Sequence, residues 1–350
     1  MVVGWLVFDH RYYNRYGLIH HNHCHNSLFE QTQYHQCNIG HLQYLNLQTA
    51  RQLLSIAVPI SLGAAGMQLI IAIDGAVYMA RLKGAAGFAT ETANDMKGIY
   101  NFCQTIFNMP CAFITPLTIS VIPAITEQLT RRASRVANTV AESAIRVTSL
   151  IAMPCSVGLI VLAEPIMGFL GHYAGADLVL AAKLMRILGV CVGINSLVLI
   201  VTAILQAHGY VYLPVLNLAI GGIVKIIVNF VLVGNPKINI VGAPLGTLAC
   251  YLLISGLDVF AMKRVLRRPP AVLRNVWKSA VAAVLMGAVA WLVNRVLAGA
   301  GLSAAIRATG SILVAVFVYA VLVLLLKIIT KDDCRLLPKG DKIAKILKIS

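Results

Sequence analysis

Acidic side chains are scarce in this chain: 13 Asp and Glu stand against 29 Lys and Arg, and charged residues of all kinds make up 12% of its 350 positions. A soluble domain carries about twice that share of charge, so a water-bathed globule is excluded. Catalytic signatures are missing as well. No GxSxG, P-loop or HExxH segment occurs, and no pair of carboxylates is placed for acid/base work. No enzyme is expected, and no cofactor. The eight cysteines contain no CxxC. Five of them, Cys103, Cys111, Cys155, Cys191 and Cys250, lie inside apolar runs, which fits buried reduced thiols and not a disulfide framework. Histidine is nearly absent from the body of the chain, where only His172 and His208 occur.

What is present is hydrocarbon: 59% of the residues are hydrophobic. From Arg51 onward, length and charge gaps mark eight apolar spans. They run Gln52 to Met79, Ile99 to Ile122, Ala144 to Leu162, Leu184 to Leu205, Leu213 to Val233, Val241 to Met262, Ala280 to Leu297 and Ala308 to Ile329. The expected fold class is all-α, a polytopic membrane helix bundle. Pro59, Pro110, Pro116 and Pro154 mark kinks in the first three spans, tolerated where neighbours re-satisfy freed carbonyls.

The net charge of +16 could suggest nucleic acid, but its placement argues for a membrane. Bases gather in the loop with Arg131, Arg132 and Arg135, in the stretch Lys263 to Lys278, and in the tail from Lys331 to Lys348. With eight spans these three regions share one side, expected to be cytoplasmic. The loop Arg81 to Lys97 gives the weakest vote, since its three bases face Glu91 and Asp95. The expected organisation is an atypical His-rich segment at 1–50, a six-helix lobe at 51–262, a basic interfacial linker at 263–278, two further helices at 279–330 and a basic amphipathic tail at 331–350. The last acts as a lipid-facing anchor.

The first 50 residues differ in composition from the rest and read as a disordered lead or as sequence foreign to the gene. They hold His10, His20, His21, His23, His25, His35 and His41, with Cys24 and Cys37 among them. His20-x3-Cys24 and Cys37-x3-His41 could offer four zinc ligands, but the spacing matches no common module, and no metal is expected.

One span carries the chemistry. Leu213 to Val233 is long enough, at about 1.5 Å per residue, to cross a hydrocarbon layer of roughly 30 Å, and it holds Lys225 near its middle. A lysine there costs roughly 2.5 to 3.5 kcal/mol on insertion scales, so it calls for a partner. Asn217, Gly221, Lys225 and Asn229 recur every four residues and form one polar, small-residue stripe on a helix. Lys225 either serves an anionic substrate, or pairs with a carbonyl or buried carboxylate and only helps helices pack. Asp74 could bind a coupling cation or pair with Lys225. Arg81, at the end of the first span, is either a substrate contact or a snorkelling anchor. Gly221 with Gly222, and Gly242 with Gly246, read as close-approach points between helices.

Two segments, IYNFCQTIFNMPCAFITPLTISVIPAITE (Ile99 to Glu127) and LQAHGYVYLPVLNLAIGGIVKIIVNFVLVGNPKINIVGAPLGTLACYL (Leu205 to Leu252), resemble the stage V sporulation protein B group of polysaccharide exporters. ARLKGAAGF (Ala80 to Phe88) does so more loosely. That group is similar to the lipid II flippases and multidrug exporters of one superfamily. The resemblance, over about Arg51 to Leu337, implies two six-helix lobes plus two extra helices. It also implies movement of a lipid-linked sugar pyrophosphate between leaflets of the cell membrane, in spore cortex and cell-wall synthesis. Eight spans correspond to the second lobe and the extra pair, so the chain is expected to be incomplete or to meet a second chain that supplies the missing lobe. On this reading Lys225 contacts the substrate, Asn217 and Asn229 bond its sugar or phosphate, Arg81 is a weaker contact, and Asp74 couples an ion. A multidrug cation antiporter is the alternative and requires a dominant acidic cavity. A non-transporting scaffold for envelope assembly is the other.

Overall fold

The computed structural model describes residues 72–326, apart from 267, together with residue 328. The chain divides into two units, Met1–Ile71 and Ala72–Ser350, and the described residues all belong to the second. The His-rich segment with its four candidate zinc ligands, most of the first span and the amphipathic tail lie outside them.

Every regular element among the described residues is helical. Helix α1 covers residues 72–83, and α2 runs Thr90–Thr130. There follow α3 (Ser134–Val161), α4 (Ala163–Leu170), α5 (Gly175–Ala207) and α6 (Tyr212–Val233). A short 3-10 turn at Asn239–Val241 leads into α7 (Gly242–Val265), and α8 (Val272–Gly299) and α9 (Ala304–Leu325) complete the bundle. Seven of these are long and apolar enough to cross a bilayer. They correspond one for one to the last seven expected spans, and the chain is a multi-pass membrane protein.

Helix ends differ from the expected spans for a physical reason. Hydropathy marks only the part of a helix that sits in hydrocarbon, whereas backbone hydrogen bonding continues into polar turns at either end. Hence α2 extends eight or nine residues beyond its apolar centre on each side, and α5 begins at Gly175 instead of Leu184. The basic stretch Lys263 to Lys278 is divided between elements. Lys263 and Arg264 close α7, a short break follows, and Arg274 and Lys278 lie in the first turns of α8. Helix α4 was not anticipated, because eight apolar residues beside a span look like part of it.

Helix α5 sits at the centre. It packs on α2, α3, α4, α6 and α7, and Leu184, Met185, Leu188, Val192, Ile200 and Ile204 on it are all fully buried. A helix apolar on every side belongs inside a bundle, which is where the fold puts it. Helices α6 and α7 form an antiparallel pair on one flank, and α8 and α9 form another, with α8 against α3 and α9 against α4. The turn from α5 to α6 needs Gly209, whose φ of 87° suits glycine best. Cross-bundle contacts fix which ends meet. Thr126 donates to the Ala207 carbonyl at 3.3 Å and Glu142 accepts from the Ala271 amide at 3.4 Å at one end, while Arg307 pairs with Glu164 at 3.6 Å at the other. The Arg131–Arg135 loop and the break after α7 therefore share an end. Five cysteines, Cys103, Cys111, Cys155, Cys191 and Cys250, are free thiols, all buried or partly so.

Candidate functional site

The polar stripe of α6 turns inward as its spacing requires: Pro214, Asn217, Gly221, Gly222, Asn229 and Val233 are buried. The opposite face, with Leu216, Ile223, Ile227, Phe230 and Val231, is exposed. Inward pointing brings α6 against α7 at unusually short range. A Cβ on Gly221 would collide with the Ile254 side chain, and one on Gly242 would lie 2.9 Å from the backbone of α6 at Val233. A Cβ on Gly246 would collide with Oδ1 of Asn229. Small residues thus let the two backbones close on each other, as in other membrane helix pairs.

At the middle of that stripe Lys225 Nζ lies 3.1 Å from Asp74 Oδ2 on α1. Asn229, one turn further along α6, donates from Nδ2 to Asp74 Oδ1 at 2.5 Å. Both carboxylate oxygens are therefore engaged, one by an ammonium and one by an amide. The Asp74 side chain is 6% exposed and that of Lys225 is 18% exposed, so the pair is largely enclosed. The second polar atom of Asn229, Oδ1, is buried beside Gly246 without a hydrogen-bond partner.

A second ring of polar groups stands next to this pair. Gln104 donates to the Tyr100 hydroxyl at 2.7 Å, and that hydroxyl lies 3.5 Å from Thr247 Oγ1 on α7. Tyr78 on α1 meets Tyr100 edge to face, with ring centroids 5.9 Å apart. Helices α1, α2, α6 and α7 thus converge on one polar spot inside an apolar bundle. Tyr100, Gln104 and Thr247 were missed at the level of sequence, because single polar residues in apolar runs carry no periodic mark.

The remaining sequence candidates go elsewhere. Asn217 does not join Lys225. It donates from Nδ2 to Asp258 Oδ1 at 2.7 Å, and Thr202 donates to Asp258 Oδ2 at 3.1 Å. Arg81 lies at the far end of α6, where Nε donates to the Phe230 carbonyl at 3.0 Å and the guanidinium sits 4.1 Å from the centre of the Phe230 ring. Its Nη2 would meet any side chain placed on Gly234. The stripe therefore divides into two buried carboxylate sites with an arginine clasp beyond them. No cluster of three His, Cys, Asp or Glu suited to a metal occurs among the described residues. Asp74 and Asp258 are both occupied by internal donors.

The family model described as Lipid II flippase MurJ matches residues 49–331 of this chain. Among curated proteins of Bacillus subtilis (strain 168), the chain is 26% identical over 314 residues to "Uncharacterized membrane protein YabM", covering 86% of this chain and 56% of that protein. It is 25% identical over 293 residues to "Stage V sporulation protein B", covering 83% and 55% respectively. The chain spans about half the length of these relatives. Among solved structures, the lipid II flippase MurJ in its inward closed conformation is similar with a TM-score of 0.60 at 15% identity, over 79% of this chain and 54% of that one. A MOP superfamily transporter from Pyrococcus furiosus gives 0.52 at 16% identity, over 85% and 69%. These two likenesses show the fold.

Proposed function

This chain belongs to the family described as Lipid II flippase MurJ, and we propose on that basis that it forms one lobe of a transporter moving a lipid-linked sugar pyrophosphate between leaflets. The observation that carries the reading is the Lys225–Asp74–Asn229 site, a charged centre inside an apolar bundle whose lysine side chain is 18% exposed. An anionic headgroup crossing a bilayer needs a cation along a path that lipid tails do not fill. Asp74 keeps Lys225 charged and in place while the site is empty. A pyrophosphate brings more negative charge than one carboxylate, so it can take over the ammonium's donors as Asp74 lets go. Asn229 acts on this exchange indirectly, by holding the other oxygen of Asp74.

Asp74 serves as the lysine's resting partner and not as an ion-coupling group, since both its oxygens are already filled. Asn217 and Arg81 are assigned to holding helices together, for the bonds given above. The basic loops and tail are placed on the cytoplasmic side, following the positive-inside rule. A cavity between lobes requires a second lobe beside this one. The likeness to a protein named for stage V of sporulation supports placing the activity in spore envelope synthesis.

The test is translocation of a fluorescent lipid-linked sugar pyrophosphate by vesicles containing the chain with a complementary lobe. Lys225→Ala is expected to insert normally and lose translocation. The paired neutral variant Lys225→Met with Asp74→Asn separates two roles. It should fold well and remain inactive if the lysine meets substrate; full activity would show that the pair only joins helices, and would overturn the reading.

A further inference from the structure

The second carboxylate site has no role in the substrate exchange just described. Asp258 is on α7, seven residues before that helix ends, and is fully buried. Its two oxygens accept hydrogen bonds from Asn217 on α6 (2.7 Å) and Thr202 on α5 (3.1 Å). Three transmembrane helices are therefore tied together through one carboxyl group. Beside it Val198, Leu218 and Ile254, one from each of the same helices, form an apolar cluster.

What distinguishes this site from the Lys225 site is the kind of partner. A buried carboxylate is ordinarily matched by a cation or a metal, because desolvating an isolated charge is costly. Both partners of Asp258 are neutral. The ionisable side chains nearest along the three helices are His208 on α5, Tyr212 and Lys225 on α6, and Cys250, Tyr251, Lys263 and Arg264 on α7. His208 is bonded back to the Ile204 carbonyl and Lys225 is bound to Asp74. The described residues that hydrogen-bond to Asp258 are Asn217 and Thr202.

Those two residue types share a property. A hydroxyl both donates and accepts, and a primary amide presents a donor on one side and an acceptor on the other. With Asp258 ionised, Asn217 and Thr202 donate to it, as seen. With Asp258 protonated, the new O–H can donate to Thr202 Oγ1 while the other carboxyl oxygen still accepts from Asn217 Nδ2, so both contacts survive. The site is chemically complete in either state. Its composition also discriminates among ligands: N–H and O–H donors already fill both oxygens, and full burial leaves no oxygen cage for a hydrated ion, whereas a proton requires no space.

We propose that Asp258, with Asn217 and Thr202, is a reversible proton-binding site that fastens α5, α6 and α7. The step is a simple association in which water-borne H⁺ adds to a carboxylate oxygen, forming O–H and discharging the group. Thr202, the partly exposed member, supplies the hydroxyl through which the proton arrives and leaves. Protonation removes the charge that Asn217 holds, and so loosens α6, the helix that also carries Lys225. The site is independent of which substrate is moved.

Infrared difference spectra of the full chain in lipid, recorded between acid and alkaline pH, provide the test. Among the carboxyl C=O stretches a separate high-frequency band, the mark of a buried protonated acid, is expected in the wild type; Asp258→Asn should remove that band while those of the other Asp and Glu remain. A wild-type spectrum without such a band, or one that Asp258→Asn leaves unchanged, overturns the proposal. So does a band abolished by sodium at constant pH, which would make the site a metal-cation site. Should Asp258→Asn fail to fold, Thr202→Val decides: the band is expected to persist but shift in frequency as one hydrogen-bond partner is removed, and an unshifted band refutes the assignment.

Discussion

Lysine at bilayer depth is one of the few residues whose presence can be read in a sequence without knowing the fold, because its insertion cost demands a reason. Its partner could not be read the same way. Asp74 lies 155 positions before Asn229, and no periodicity links the two. The stripe on α6 was legible as a face, but helical spacing cannot tell that Asn217 and Asn229 serve different carboxylates on α7 and α1. Two predictions belong to single residues. Lys225→Met or Asp74→Asn alone leaves a buried charge unpaired and should cost about 3–5 kcal/mol, whereas the double neutral variant should fall near the wild type. Thermal unfolding midpoints in detergent would measure this cycle. Arg81→Gln loses the Phe230 carbonyl bond and the ring contact together, and should lower stability by about 1–2 kcal/mol while translocation remains. A translocation loss larger than the stability loss explains would return Arg81 to the substrate path.

Among the described helices, what the sequence made plain was the order of the seven long ones, since each holds a long apolar run. Ends were less plain, because a helix outlasts its apolar stretch wherever polar turns keep their backbone bonds. The α6–α7 contact shows how much small residues decide. Gly221, Gly242 and Gly246 stand where any Cβ would strike the facing helix, so these positions set the interhelical distance. Gly246→Ala forces a methyl group onto Asn229 Oδ1 and presses on the amide that holds Asp74. It should cost about 1–3 kcal/mol, and it should disturb the Lys225 site without altering any charged residue. Thermal stability and translocation measured on the same preparation would show both effects. Gly256, whose added Cβ meets nothing within 4 Å, is the matched control and should tolerate alanine.

For the molecule in its membrane, orientation is the open quantity with a direct check. In a chain whose Cys24, Cys37 and Cys334 are replaced by serine, the remaining thiols are buried or partly so, and background labelling should be low. Arg132→Cys is then expected to react with an impermeant maleimide only from the cytoplasmic side, and Leu302→Cys only from the outside. The reverse pattern would invert the topology. The bundle also has a dimension that bears on where it works well. Helix α2 is 41 residues long, about 60 Å at 1.5 Å per residue, against a hydrocarbon layer of roughly 30 Å, and it contains Pro110, Pro116 and Pro123. It must lean, bend or stand well clear of the acyl chains, and its neighbours are shorter. Such a mismatch makes bilayer thickness a variable in its own right. Short-chain lipids should favour one tilt of this mast and long-chain lipids another, so the acyl length of the host membrane becomes part of the transporter's working environment.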